Sequence, residues 1–372
     1  MGKETTLRVF DANLVYLIGS LLFFTIGFAV QQRELYTGLV ITQLAVVLLP
    51  PFLYLELRKM NVRQVLRLNR ITLRQGVLAA LITIFMYPAA VSANLIMLNV
   101  LTRIGTIDIP QIPMADSPMQ YLRLMLIISV LAGVCEEVFF RGFILRGYEK
   151  MGPRKAVIIS ALLFGIFHYN IYNLFGAIML GLVFGLLVMV TDSLYAGIIG
   201  HMVNNGFAVS LGYGFNLMVD LLPAEEMEMA EAALGDSLLA SLMFFGVLAL
   251  MGTGISIYLY RKLKACTAEP GENNFGSQAN QRSPRELETD YPKDEKGEKS
   301  LTDLNHKLLE APDALPVDKP TPGEEKGEDS RNKEVDSSTG KAQWWEFFPL
   351  TGVIPLFFHV MYIQIAMLLG RF

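Results

Sequence analysis

Nine apolar runs, at about 13–31, 37–56, 76–101, 120–145, 155–169, 172–190, 194–213, 237–260 and 347–369, dominate this chain of 372 residues. A helix of roughly 20 apolar residues spans a bilayer's hydrocarbon core of about 30 Å. Lipid offers no partner to backbone N–H and C=O groups, so each span must satisfy its own, as an α-helix does. The runs therefore predict an all-α, polytopic transmembrane bundle of about eight spans, plus a ninth apolar helix near the carboxyl end. They also account for the 52% hydrophobic content and the mean hydropathy of +0.41.

The charges between the runs set an orientation. Arg58, Lys59, Arg63, Arg67, Arg70 and Arg74 follow the second run, Arg146, Lys150, Arg154 and Lys155 the fourth, and Arg261, Lys262 and Lys264 the eighth. Asp108 and Asp116 lie after the third, and Asp220, Glu225, Glu226, Glu228 and Asp236 after the seventh. With the amino terminus inside, every basic loop falls on the cytoplasmic side and both acidic loops fall outside. The expected location is a cell membrane, crossed many times, with the carboxyl terminus outside. The 57–75 stretch interleaves its arginines with Val62, Val65, Leu66 and Leu68, a pattern suited to lying along the membrane surface.

Four regions follow: N-terminal helices with a basic loop over 1–119, a membrane core over 120–265, a charged segment over 266–343, and a last helix over 344–372. The charged segment is rich in Glu, Lys, Asp, Pro and Ser, with Phe275 and Tyr291 its only aromatic residues. Such a composition cannot bury enough apolar surface to offset ordering entropy, which predicts a disordered cytoplasmic linker with a brief helix at Leu301–Leu309. A regulator could bind there. Trp344 and Trp345, both tryptophans of the protein, open the last run at an interfacial position.

Against this background the fourth run is anomalous. It carries Cys135-Glu136-Glu137-Val138-Phe139-Phe140-Arg141-Gly142. One charge at the centre of a bilayer helix costs about 2.5–3.5 kcal/mol on insertion scales, so three in six positions must be paired or line a polar cavity. Glu137 and Arg141 are four apart and can pair on one face. Glu136 points about 100° away and is left free for chemistry. Two later runs add His168, which ends Phe164-Gly165-Ile166-Phe167-His168, and His201, which begins His201-Met202-Val203-Asn204-Asn205. His201 and Asn205 share a helix face. Singly, each has a bland explanation: an intramembrane His or Asn as interhelical glue, a Glu–Arg pair as a structural strut. Together, three helices offer polar groups within one window, in spans rich in glycine. Gly181 and Gly185 form a GxxxG pair that permits close helix approach. His359 is read as having no role in the site.

Glu-Glu-x-x-x-Arg, Phe-x-x-x-His and His-x-x-x-Asn on successive spans resemble the CPBP family of intramembrane proteases, the CAAX-protease and bacteriocin-processing (Abi) group with the Rce1-type endopeptidases. The resemblance covers about 120–213. It implies catalysis by Glu136, His168, His201 and Asn205, with Glu137 and Arg141 holding the helix in orientation.

The residue types suit peptide hydrolysis, which needs an activated water, a proton carrier and an oxyanion stabiliser. Glu136 is the candidate base, His168 positions water, and His201 with Asn205 holds the scissile carbonyl oxygen. Glu136, His168 and His201 are also the one set that could bind a divalent metal such as zinc, although three separate helices supply them without His-Glu-x-x-His spacing. The residues favour a metal-free glutamate mechanism slightly. A buried Cys135 thiol is a poor nucleophile. The expected substrate is a membrane peptide or protein of CAAX, pheromone, bacteriocin or lipid-anchored type, with the bilayer as partner and no nucleic acid. A non-hydrolytic immunity, chaperone-like or transport protein could use the same polar core for binding.

Overall fold

The apolar runs fold as helices that stop where glycine, proline and charge cluster. The computed structural model describes residues 6–105, 113–219, 221, 238–268 and 342–370, and these contain helices and no strand. In order they are α1 (Val9–Arg33), α2 (Leu35–Leu57), α3 (Leu73–Thr102), α4 (118–148), α5 (Pro153–Phe167), α6 (Leu174–Thr191), α7 (Leu194–Val219), α8 (Leu238–Ala268) and α9 (Trp344–Leu368). α1, α2, α3, α6, α8 and α9 are long and apolar enough to cross a membrane. α8 leaves large apolar side chains such as Phe244 and Leu250 exposed, as a lipid-facing helix would. The protein is thus an all-helical, multi-pass membrane protein. Of the charged segment, 266–268 continue α8, while residues 269–341, with the helix expected at Leu301–Leu309, lie outside the described residues.

Local chemistry sets the boundaries. Thr72 caps α3 through its hydroxyl on Gln75 N, and the Gln75 side chain answers on Thr72 N. Gly152, at φ 104, makes the turn between α4 and α5, and Pro153 opens α5 where its missing N–H costs nothing. α7 runs to Val219, so residues 214–219, expected in the acidic loop, are helical. Pro88 sits inside α3 without ending it.

Contacts between distant segments define two ends of the bundle. At one end Gln75 Nε2 donates to Thr267 Oγ1, joining the start of α3 to the end of α8. There Asn13 on α1 donates to Glu346 O on α9 and accepts from Tyr148 Oη on α4. At the other end Tyr121 and Ser210 join α4 to α7, and Asn216 Nδ2 reaches Ala115 O.

The 58–72 connector departs from the surface reading. After the single turn Val62–Val65, Val65 and Leu66 are buried against the bundle. Arg67 pairs with Glu149 and with Asp192, while its carbonyl accepts from Leu194 N. Ser193 donates to Asn69 O, and Asn69 Nδ2 donates to Asp192 O. The apolar residues of this stretch face protein, because the α4–α5 and α6–α7 turns give its polar groups partners.

Candidate active site

α4 supplies the acidic pair from a helix with widened turns, a feature that α1 at Phe23–Gly27 and α2 at Thr42–Leu48 also have. Wide, π-type turns at Met125–Leu131 and Val138–Ile144 flank the ordinary turns of Ala132–Glu137. Such widened turns occur often at functional sites, where they re-aim side chains.

Glu137 and Arg141 pair as their spacing requires. Arg141 Nη1 donates to Glu137 Oε1 at 2.6 Å, and both side chains are fully buried. Arg141 Nη2 donates to Gly181 O on α6 at 3.1 Å. The guanidinium lies 4.4 Å from the Phe164 ring centroid and 5.2 Å from that of Phe184. A desolvated guanidinium is stabilised by aromatic faces. Close approach of α5 and α6 makes this arrangement: a Cβ on Gly181 would stand 2.9 Å from Ala161 Cα.

His201 joins the same cluster. Its Nδ1 lies 2.9 Å from Glu137 Oε1, and its ring stacks on Phe184 at 4.8 Å. A carboxylate paired with arginine can only accept, so Nδ1 carries the proton. His201 Nε2 then lies 3.9 Å from Glu136 Oε2. That is too long for a hydrogen bond, but one water molecule can touch both atoms.

Glu136 is not free, as its helical direction alone implies. Gln43 Nε2 on α2 donates to Glu136 Oε1 at 2.8 Å. Gln43 Oε1 is buried without a hydrogen-bond partner. Sequence reasoning missed Gln43; the signal was an amide in an otherwise apolar run. His168 caps the end of α5, and its Nδ1 lies 2.8 Å from Phe164 O. A carbonyl oxygen cannot donate, so Nδ1 bears hydrogen and neutral His168 keeps a lone pair at Nε2. Asn205 Nδ2 donates to Ile128 O at 2.9 Å, and its Oδ1 accepts from Asn204 Nδ2.

Glu136, His168, His201 and Asn205 all line one cavity of about 540 Å³, together with Gln43 and Asn204. Much of the remaining wall is apolar, including Leu39, Val91, Ile127 and Val209. Glu137 and Arg141 stay behind this wall, and His359 is exposed on α9.

The conditional zinc trio does not assemble. Among the described residues no group of three or more His, Cys, Asp or Glu could hold an ion. Zinc needs three or four donors at about 2.0–2.3 Å. No step below is routed through a metal.

No curated protein and no solved structure matches the chain. Residues 118–207, the stretch that carries the acidic pair, both histidines and Asn205, match the family model of the type II CAAX prenyl endopeptidase Rce1-like proteins, which supports placing the protein with the CPBP/CAAX proteases.

Proposed function

We propose that this protein is an intramembrane endopeptidase that uses Glu136 as the base, acting on a CAAX-type or otherwise lipid-anchored peptide. The observation that carries the reading is the cavity wall shared by Glu136, His168, His201 and Asn205. Glu136 takes a proton from a water held with His168 Nε2, and the oxygen adds to the scissile carbonyl carbon. His201 and Asn205 receive the developing oxyanion. Because His201 Nδ1 faces Glu137, His201 donates from Nε2 only as the imidazolium. The protonated Glu136 then gives its proton to the amide nitrogen as the C–N bond breaks. Asn205 has one N–H beyond the one spent on Ile128 O. The apolar wall suits a lipid-modified chain, and the paired Arg141 fixes the orientation of α4.

The test is cleavage of a prenylated CAAX peptide and its unmodified counterpart by purified protein. Glu136→Gln and His201→Ala are each expected to lose activity by about 10²–10⁴-fold, the usual contribution of a positioned acid–base group. Retained turnover in both removes the reading. Chelator titration of the active protein decides the metal question. A cytoplasmic amino terminus is part of the same proposal, tested by cysteine labelling from each side.

A further inference from the structure

α5 has 15 residues, about 22 Å of helix at 1.5 Å per residue, against a hydrocarbon core of about 30 Å. It stops inside the bundle. His168 caps it, and the chain turns through 169–173 before α6 begins, with Tyr169 and Ile171 buried. A helix end leaves backbone groups without helical partners, and because Tyr169 and Ile171 are buried the protein supplies theirs. Tyr169 also adopts a left-handed backbone, at φ 46. A residue bearing a Cβ holds that conformation only where its surroundings enforce it.

The enforcing group comes from the far end of the chain. Gln364 on α9 donates from Nε2 to Tyr169 O at 2.8 Å and accepts at Oε1 from Ile171 N at 2.9 Å. One side-chain amide thus takes both a carbonyl and an amide of the broken turn. Leu101, Ile171, Met361 and Leu368 form an apolar cluster that joins this turn to α9 and α3. On the opposite flank Asn94 closes the turn, accepting from Gly176 N and donating to Asn173 Oδ1. α9 lies outside the 118–207 stretch that matches the family model.

We propose that Gln364 is a positioning residue for His168: it clasps the 169–171 turn and so fixes where α5 ends on the cavity wall. The catalytic consequence rests on the peptidase reading; the clasp does not. A misplacement of about 1 Å by a distant change can cost about 10²-fold in rate.

The experiment uses the full chain in nanodiscs, with Gln364→Ala and Gln364→Glu. Hydrogen exchange of peptides covering 168–173 is compared with that of peptides from α3. The same samples are assayed on the prenylated CAAX peptide. In Gln364→Ala, exchange at the turn is expected to rise by about tenfold or more with α3 unchanged, and kcat to fall by about 10- to 100-fold with KM nearly constant. A deprotonated glutamate at 364 accepts from Ile171 N but cannot donate to Tyr169 O. The kcat of Gln364→Glu relative to wild type should therefore rise as pH falls and the carboxyl regains its proton. Loss of packing alone would not give that trend. Unchanged exchange in Gln364→Ala overturns the clasp. Unchanged kcat where the wild type cleaves, or a flat pH ratio, overturns its role toward His168. If the wild type cleaves no peptide, the peptidase reading fails and exchange still decides the clasp.

Discussion

His201 and Arg141 meet on a single oxygen, Glu137 Oε1, at 2.9 and 2.6 Å. Glu137 therefore does more than neutralise a cation. It selects which nitrogen of His201 carries hydrogen, and so what His201 can offer the cavity through Nε2.

Glu137→Gln tests that dual role. It leaves Arg141 buried without a counter-charge, a loss expected to cost about 3–5 kcal/mol. Thermal unfolding in detergent should show a large drop in melting temperature. Glu137→Gln combined with Arg141→Met removes both charges and should recover much of the stability without recovering activity. A single variant as stable as wild type would contradict the burial argument.

Gln43→Leu keeps side-chain size but removes the donor on Glu136. A hydrogen bond to a charged group contributes about 1.5–3 kcal/mol. Single-turnover cleavage is expected to slow by about 10- to 100-fold, with folding intact by circular dichroism. A wild-type rate would mean the Gln43 contact is incidental.

Gly181→Ala should be disproportionately harmful. Its Cβ would stand 2.9 Å from Ala161 Cα and 3.2 Å from Ala161 O, backbone atoms that cannot swing aside. Overpacking of this kind costs about 1–3 kcal/mol, and here it also displaces the carbonyl that accepts from Arg141 Nη2. Gly246→Ala on α8, where no atom lies within 4 Å, is the matched control and should be neutral or slightly stabilising. Equal melting temperatures for the two variants would refute the close-approach account.

Glu34, between α1 and α2, caps α2 by accepting from Tyr36 N and Thr37 N. Its carboxyl is held below the usual value, chiefly by the Thr37 hydroxyl and then by the Thr37 and Tyr36 amides. Because the folded value is the lower one, the ionised cap stabilises above the unfolded carboxyl's range, and that contribution is lost as pH falls through the folded value. Glu34→Ala should therefore unfold at a lower temperature than wild type near neutrality. The two curves should converge on acidification below about pH 4, near the ordinary glutamate value. A gap that persists or widens in acid would contradict the cap.

The helical class and most helix positions were legible because bilayer-length apolar runs leave few alternatives. The Glu137–Arg141 pair was legible because it depends on helical repeat alone. His201 on Glu137 was not, since 64 residues and a packing angle separate them. Gln43, 93 residues from Glu136, was hidden for the same reason: its function is a property of α2's placement against α4. The 58–72 connector misled because arginines interleaved with valine and leucine fit a membrane surface as well as they fit Glu149, Asp192 and a buried groove. α7 outran its expected end because Asn216 finds Ala115 O, a partner no local pattern contains.

Asn13 lies in the first helix, yet one of its two side-chain partners is Glu346, 333 residues later. A ribosome feeding this chain into a membrane therefore delivers an amide whose carbonyl partner has not yet been made. Until α9 arrives, that amide must wait on water or lipid headgroups, and this end of the bundle closes only after α9 has been made.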